Sequence, residues 1–160
     1  MRVVQVCSEA VPFAKTGGLA DVTGALSKAL VELGHDVTLI LPNYVRFLAK
    51  NKFESQPIGE SFDIPLGDRR IGISLRQTQM PGSDVRVVLV DQPEFFDRDG
   101  IYQEPHSKAD YADNAARYMA FPRAALEAVA RLDLRPDIIQ AHDWQTGLVP
   151  ALLEAQYRQW

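Results

Sequence analysis

Arg2-Val3-Val4-Gln5-Val6-Cys7 and, after a short connection, Lys15-Thr16-Gly17-Gly18-Leu19-Ala20-Asp21 open the chain. The first run is β-branched and apolar enough for a buried parallel strand. The second is a glycine turn leading into a helix. Leu19, Val22, Leu26, Leu30 and Leu33 recur there at three- and four-residue steps, and Gly34 is the stop. That stripe predicts the face the helix buries. A strand, a turn and a helix leave the first-turn N–H groups without backbone partners. Those donors and the positive end of the helix dipole suit an anion such as a phosphate. Gly17 and Gly18 let the backbone approach it, and Lys15 adds a cation. Neither the G-x-G-x-x-G fingerprint nor the G-x-x-x-x-G-K-[ST] loop is present. The same glycines therefore also suit a plain strand-to-helix turn.

Working outward, strands and helices alternate, which predicts an α/β fold with a Rossmann-like, doubly wound, mainly parallel sheet. A second strand spans Asp36 to Leu41 and stops at Pro42-Asn43; a short helix follows from Tyr44 to Lys52. Ile71, Ile73 and Leu75 alternate with polar or small residues, so a strand or hairpin is expected there. Val85 to Val90 is a further strand. A long helix is expected to start near Asp110 as N-cap, with Asp113 in its first turn and Ala115, Met119, Leu126 and Val129 buried. Pro122 inside that pattern predicts a kink or restart. The last strand is Asp137 to Ala141 and the last helix starts near Gly147, with Tyr157-Arg158-Gln159-Trp160 inside or just after it. No repeat, low-complexity segment or linker interrupts the pattern, so residues 1–160 read as one domain.

A chain of 160 residues can bury a substantial core. Its net charge of −4 leaves no basic excess for a nucleic-acid backbone, yet a local patch around Lys15 can still bind an anion. No apolar run reaches a membrane span, and Met1 leads directly into the first strand, so a cytoplasmic protein without membrane or nucleic-acid partners is expected. The single Cys7 excludes an internal disulfide and a cysteine-rich metal site, and its place at a strand end favours a buried thiol.

Four ordered segments carry a family resemblance. Cys7-Ser8-Glu9, Pro12 and the run from Lys15 to Leu26 (K-T-G-G-L-A-D-V-T-G-A-L) resemble the opening of bacterial glycogen synthases and plant starch synthases. Ala141-His142-Asp143-Trp144-Gln145-Thr146-Gly147-Leu148 resembles their A-H-D-W-x-x-G-L segment. Between them, Tyr111-Ala112-Asp113-Asn114 matches Y-x-D-N, and Phe96-Asp97-Arg98 with Gly100-Ile101-Tyr102 matches D-R-x-G-x-Y. The chain departs from the family pattern at Asp99, where proline is usual, at Pro122 and at Gln140. The resemblance implies a retaining glucosyltransferase that moves glucose from ADP-glucose to the non-reducing end of an α-1,4-glucan. It also implies the N-terminal lobe of a two-lobed (GT-B type) enzyme, with the C-terminal lobe that holds the nucleotide base absent from this chain. No metal or other cofactor is expected, and the isolated lobe is expected to be inactive.

Candidate site residues follow from these motifs. Lys15, Gly17 and Gly18 are assigned to the donor. The resemblance assigns Asp143 to positioning or stabilising the transferred glucose, and His142 to orienting neighbours or contacting sugar hydroxyls. Trp144 would form an apolar wall, although Asp143 can equally cap the final helix and Trp144 fill space between loops. Asp21, favourable at a helix N-terminus whatever the function, is assigned to acceptor hydroxyls or to a lysine partner. Tyr111 and Asn114 are assigned to the acceptor glucan, with packing on the adjoining loop the alternative for Tyr111. Ser8 and Glu9 lie beside the glycine loop without an assigned role. Asp97-Arg98-Asp99 has the D-x-D form of a metal site, but Arg98 separates the carboxylates.

Two other readings stand beside the synthase lobe. One is a carbohydrate- or nucleotide-binding module without catalysis. The other is a dinucleotide-dependent oxidoreductase, disfavoured because Leu41-Pro42-Asn43 supplies no acid at the end of the second strand to grip a ribose.

Overall fold

The computed structural model describes residues 1–157; Arg158, Gln159 and Trp160, on which the expected close of the last helix falls, lie outside the described residues. Four strands form the centre: β1 (Arg2–Val6), β2 (Asp36–Pro42), β6 (Arg86–Asp91) and β7 (Ile138–Ala141). They lie in the order β6-β2-β1-β7 and every neighbouring pair is parallel. Three further strands, β3 (Gln56–Pro57), β4 (Phe62–Leu66) and β5 (Arg69–Gln79), extend the β6 side through antiparallel pairs. The hairpin expected at Ile71, Ile73 and Leu75 is β4–β5, and those three side chains are buried.

The central strands are apolar on both faces because helices cover both. Val37, Leu39, Leu41, Val87 and Leu89 point into one core cluster, and Val4, Val6, Ile40, Val88 and Val90 into the other. α1 (Gly18–Glu32) follows β1, and the short α2 (Val45–Lys50) follows β2. α3 (Pro93–Phe96) follows β6, with Gln92 accepting from the Phe95 N–H as its cap. α4 (Asn114–Arg131) leads to β7, and α5 (Val149–Gln156) ends the described chain. The chain leaves β1 toward β2 on one side and later returns to β7 on the other. The order therefore reverses at β1, and β1 and β7 end side by side, with Val6 in register with Ala141.

Two expectations about helix faces are corrected. α1 buries its leucine stripe only in part: Leu19, Leu26 and Leu30 are half-buried, whereas Val22 is 58% exposed and Leu33 73%. The residues it buries fully are Ala20, Thr23, Gly24 and Ser27. Small side chains let the helix sit close to β1, and its hydroxyls find partners there. Ser27 donates to Gln5 Oε1 at 2.9 Å and Thr23 to the Glu9 carbonyl at 2.6 Å. A Cβ on Gly24 would lie 2.6 Å from the Val11 carbonyl oxygen. Close approach, rather than leucine burial, decides which face is inside.

α4 starts at Asn114, so Asp113 rather than Asp110 stands at the N-cap position. Asp110 is occupied in a β-bridge with Gln103, whose amide donates to it at 3.0 Å. Leu126 and Val129 are buried, but Ala115 is exposed and Met119 is 49% exposed. Arg117, Tyr118, Phe121, Ala124, Ala125 and Ala128 line the inner face instead. Pro122 does not interrupt the helix, which continues to Arg131. Proline removes one N–H from the ladder, and burial of Pro122 among these core residues offsets that loss.

Candidate active site

The ends of β1 and β7 bring the two outermost motifs together. The His142 N–H donates to the Val6 carbonyl at 3.0 Å, so the residues after β7 begin beside those after β1. In open α/β sheets, ligands bind at such a reversal, beyond the carboxyl ends of the strands. Lys15, Gly17, Gly18 and Asp21 therefore share one edge of the sheet with His142, Asp143 and Trp144.

Lys15 is not a free cation. Its Nζ donates to both Asp21 carboxylate oxygens, at 2.6 and 2.7 Å, and both side chains are about half exposed. Of the two roles foreseen for Asp21, the lysine partner is the one present. Gly17 is the extended N-cap of α1 and lacks a side-chain cap bond, leaving the α1 amides beyond it open at the helix start. Neither Gly17 nor Gly18 has a positive φ, and a Cβ on either would meet nothing within 4 Å. Among the described residues, nothing in the packing requires glycine at these two positions.

Glu9, 2% exposed, organises this loop from below. Its carboxylate accepts from the Thr16 N–H, from Thr16 Oγ1 at 2.7 Å, from the Gly17 N–H at 3.4 Å and from the Tyr102 hydroxyl at 2.7 Å. Tyr102 also shares a 2.7 Å hydrogen bond with Ser8 Oγ. Burial pushes the Tyr102 hydroxyl far above its ordinary range, which keeps it protonated. Burial likewise raises the Cys7 thiol and keeps it a neutral core group.

Asp143 has φ +64° and ψ −179°, a strained backbone for a residue with a side chain. Its Oδ1 accepts from the Trp144 N–H at 2.7 Å and caps the 3-10 turn Trp144–Thr146, not the final helix. Trp144 is 58% exposed although its ring stands edge-on to Tyr118, with centroids 5.2 Å apart, and tilted against Tyr102 at 6.1 Å. It is a supported but open aromatic surface. His142 is half-buried, and burial lowers its imidazole below the ordinary value of 6.5. Its Nε2 is shielded and has no hydrogen-bond partner among the described residues.

Tyr111 and Asn114 brace the loop that carries Tyr102. The Asn114 amide donates to the Tyr102 carbonyl at 2.8 Å and accepts from Arg117 at 2.6 Å. The Tyr111 hydroxyl accepts from the Gly100 N–H at 3.2 Å, and the ring lies under the Arg98 and Arg117 guanidinium groups. Arg98 in turn grips both Asp113 oxygens, at 2.7 and 2.5 Å, which holds that carboxyl below its usual range. The Asp97 and Asp99 carboxylates both accept from Arg46, at 3.0 and 2.8 Å. Among the described residues, no three histidine, cysteine, aspartate or glutamate side chains stand close enough to hold a metal ion.

Sequence reasoning missed Glu9, Tyr102 and the Arg98–Asp113 pair as organisers. Glu9 offered one signal: an acid three residues beyond an apolar strand, with no cation among its immediate neighbours. A carboxylate buried there needs donors from elsewhere in the chain, and the structure supplies backbone N–H groups and hydroxyls.

Sheet order and site define a Rossmann-like lobe with its ligand edge at the reversal of strand order, the class to which nucleotide-sugar glycosyltransferase lobes belong. A family model for the starch synthase catalytic domain matches residues 2–160. The glycogen synthase of Syntrophotalea carbinolica is 45% identical over 158 residues, covering 98% of this chain and 31% of the relative. That of Cellvibrio japonicus is 48% identical over 153 residues, covering 91% and 30%. The catalytic domain of starch synthase IV from Arabidopsis thaliana, solved with ADP and acarbose, superposes with a TM-score of 0.81 at 31% identity, covering 98% of this chain and 30% of that one. The chain belongs to the glycogen and starch synthase family, and it spans about a third of the length of the curated relatives it matches. Among the described residues, no helix is long and apolar enough to cross a membrane.

Proposed function

We propose that this chain forms one wall of a site that transfers glucose from ADP-glucose to the non-reducing end of an α-1,4-glucan, with retention of configuration. The observation that carries the reading is the pair of motifs at the β1–β7 reversal, in a chain of this family. On the donor side, Lys15 and the first amides of α1 would meet the diphosphate, with Gly17 and Gly18 leaving room for it. Their glycines need no other explanation from packing, which supports this assignment. Such cations and oriented amides would stabilise the charge that develops on the leaving diphosphate.

Asp143 and His142 lie at the reacting sugar in this reading, and Trp144 offers a ring face to the glucan. The lowered proton affinity of His142 keeps its imidazole neutral at pH 7, so it would act as a hydrogen-bonding group rather than a cation. Asp21 faces acceptor hydroxyls once Lys15 turns to the donor. Tyr111 and Asn114 serve the acceptor side by holding the Tyr102 loop. The remaining wall and the nucleotide-base contacts would come from a second lobe.

Calorimetric titration of the 160-residue chain with ADP and, separately, with maltopentaose tests the reading. Binding of both, with the ADP affinity reduced by Lys15→Ala, is expected. A chain that binds maltopentaose and ignores ADP would sink the donor assignment and leave a carbohydrate-binding module.

A further inference from the structure

We infer that Glu9 is the positioning residue of this site: one buried carboxylate that sets the glycine loop and ties it to the aromatic wall. The inference rests on the donor and acceptor roles proposed above. Every polar partner of the Glu9 carboxylate is a donor, and the partners come from two separate segments. Oε2 receives the Thr16 and Gly17 N–H groups, while Oε1 receives the Thr16 and Tyr102 hydroxyls. The Glu9 carbonyl accepts from Thr23 in α1, so the same residue also anchors the helix. Tyr102 then packs on Trp144. A shift of the glycine loop is thereby transmitted through one side chain to the ring that faces the sugar.

Two consequences follow. First, the loop amides of Thr16 and Gly17 are already filled by an internal anion, so a bound diphosphate meets the amides that follow them, from Gly18 onward, together with Lys15. Second, the role is one of reach and acceptor geometry rather than charge. Glutamine at position 9 keeps an oxygen for the two N–H donors. It turns its NH₂ toward two hydroxyls, which can rotate to accept. Aspartate keeps the charge but is one methylene too short to serve the loop and Tyr102 together.

The test compares Glu9→Gln, Glu9→Asp and Lys15→Ala in the 160-residue chain, with ADP and maltopentaose as probes and amide hydrogen exchange at Thr16 and Gly17 as a ligand-free readout. Glu9→Gln is expected to bind both probes within threefold of the parent and to keep slow exchange. Glu9→Asp is expected to weaken both probes at least tenfold and to speed exchange at both amides at least tenfold. Lys15→Ala should weaken ADP alone. The reverse order, with Asp close to the parent and Gln impaired, would overturn the inference in favour of a charge role. So would ADP moving the Thr16 and Gly17 amide resonances more than those of Gly18 to Ala20. If ADP binds neither parent nor Lys15→Ala, the donor assignment falls. Glu9 is then judged by exchange, where less than a threefold change in Glu9→Asp overturns its role.

Discussion

Lys15 and Asp21 show how a cation proposed for the donor can rest on a carboxylate. The pair is half exposed, and pairs of that kind contribute about 1 kcal/mol or less after solvent screening. An incoming diphosphate offers Lys15 more charge, so exchange of partners costs little. Lys15→Ala is expected to weaken ADP binding about tenfold, the low end of what a charge-assisted hydrogen bond is worth. Asp21→Asn is expected to leave ADP binding unchanged or tighter while moving stability by less than about 1 kcal/mol. Calorimetry on the two variants checks both, and a Lys15→Ala chain with parental ADP affinity would remove Lys15 from the donor wall. His142 gives a second check. Burial opposes its charge, so the folded chain takes up this proton at lower pH than the unfolded chain. Its contribution to stability is intact above pH 6.5 and is lost as pH falls from there through the folded value. An NMR titration of the ring with a midpoint at or above 6.5 would contradict the burial argument. That Lys15, Gly17, His142, Asp143 and Trp144 share one edge of the sheet was legible because their motifs follow strands. Glu9 and Tyr102 were not, because a hydrogen bond between residues so far apart in sequence leaves no local pattern.

Among the elements, the central strands were the readable part. Arg2–Val6, Asp36–Pro42 and Arg86–Asp91 are apolar runs because both sheet faces are covered, and such runs announce themselves. The inner face of α1 was unreadable on the same logic, since it is built from Ala20, Thr23, Gly24 and Ser27. Hydrophobic periodicity points to leucines, whereas close helix–strand contact selects small residues whose hydroxyls have partners. α4 misleads for a related reason: Arg117 is fully buried because the Phe95 and Ile101 carbonyls accept from it, at 2.7 and 2.9 Å. Gly24→Ala and Gly18→Ala separate packing glycines from ligand-side glycines. A Cβ at Gly24 collides with backbone at Val11, so a loss of about 1–3 kcal/mol is expected in chemical denaturation. A Cβ at Gly18 enters open space, so stability should move by less than about 0.5 kcal/mol while ADP binding weakens. Equal stability of the two variants would mean that α1 is not held by that contact. Val22→Ser, at an exposed position of the leucine stripe, should be nearly neutral, in contrast to what the leucine pattern alone would forecast.

At the scale of the molecule, the parallel sheet has an outer strand whose far side carries no partner among the described residues. β7 is the last strand in the order, and Ile138 on it is 44% exposed. A groove of about 920 Å³ lined by Val129, Ile139, Pro150, Leu153 and other residues of α4, β7 and α5 opens nearby. It includes Arg2 and Asp137, at the opposite ends of β1 and β7 from His142 and Lys15, so it is not part of the candidate site. The site itself is open: Trp144, Lys15 and Asp21 are all half exposed or more, and a cavity of about 510 Å³ lined in part by Thr16, Tyr102 and Trp144 lies beside them. Transfer to a hydroxyl acceptor requires the activated sugar to be held in a shielded geometry, since stabilisation by oriented dipoles falls steeply in contact with water. An open wall of this kind can bind and orient but does not enclose. The 160-residue chain is therefore expected to bind ADP or glucan weakly and to transfer no glucose from labelled ADP-glucose to glycogen above background. Supplying the remaining two thirds of a relative such as the Cellvibrio japonicus glycogen synthase in the same polypeptide should restore transfer, and Glu9→Asp in that chimera should lower it. Label incorporated into glycogen by the isolated chain would show that one wall suffices, and the two-lobed reading would fall with it.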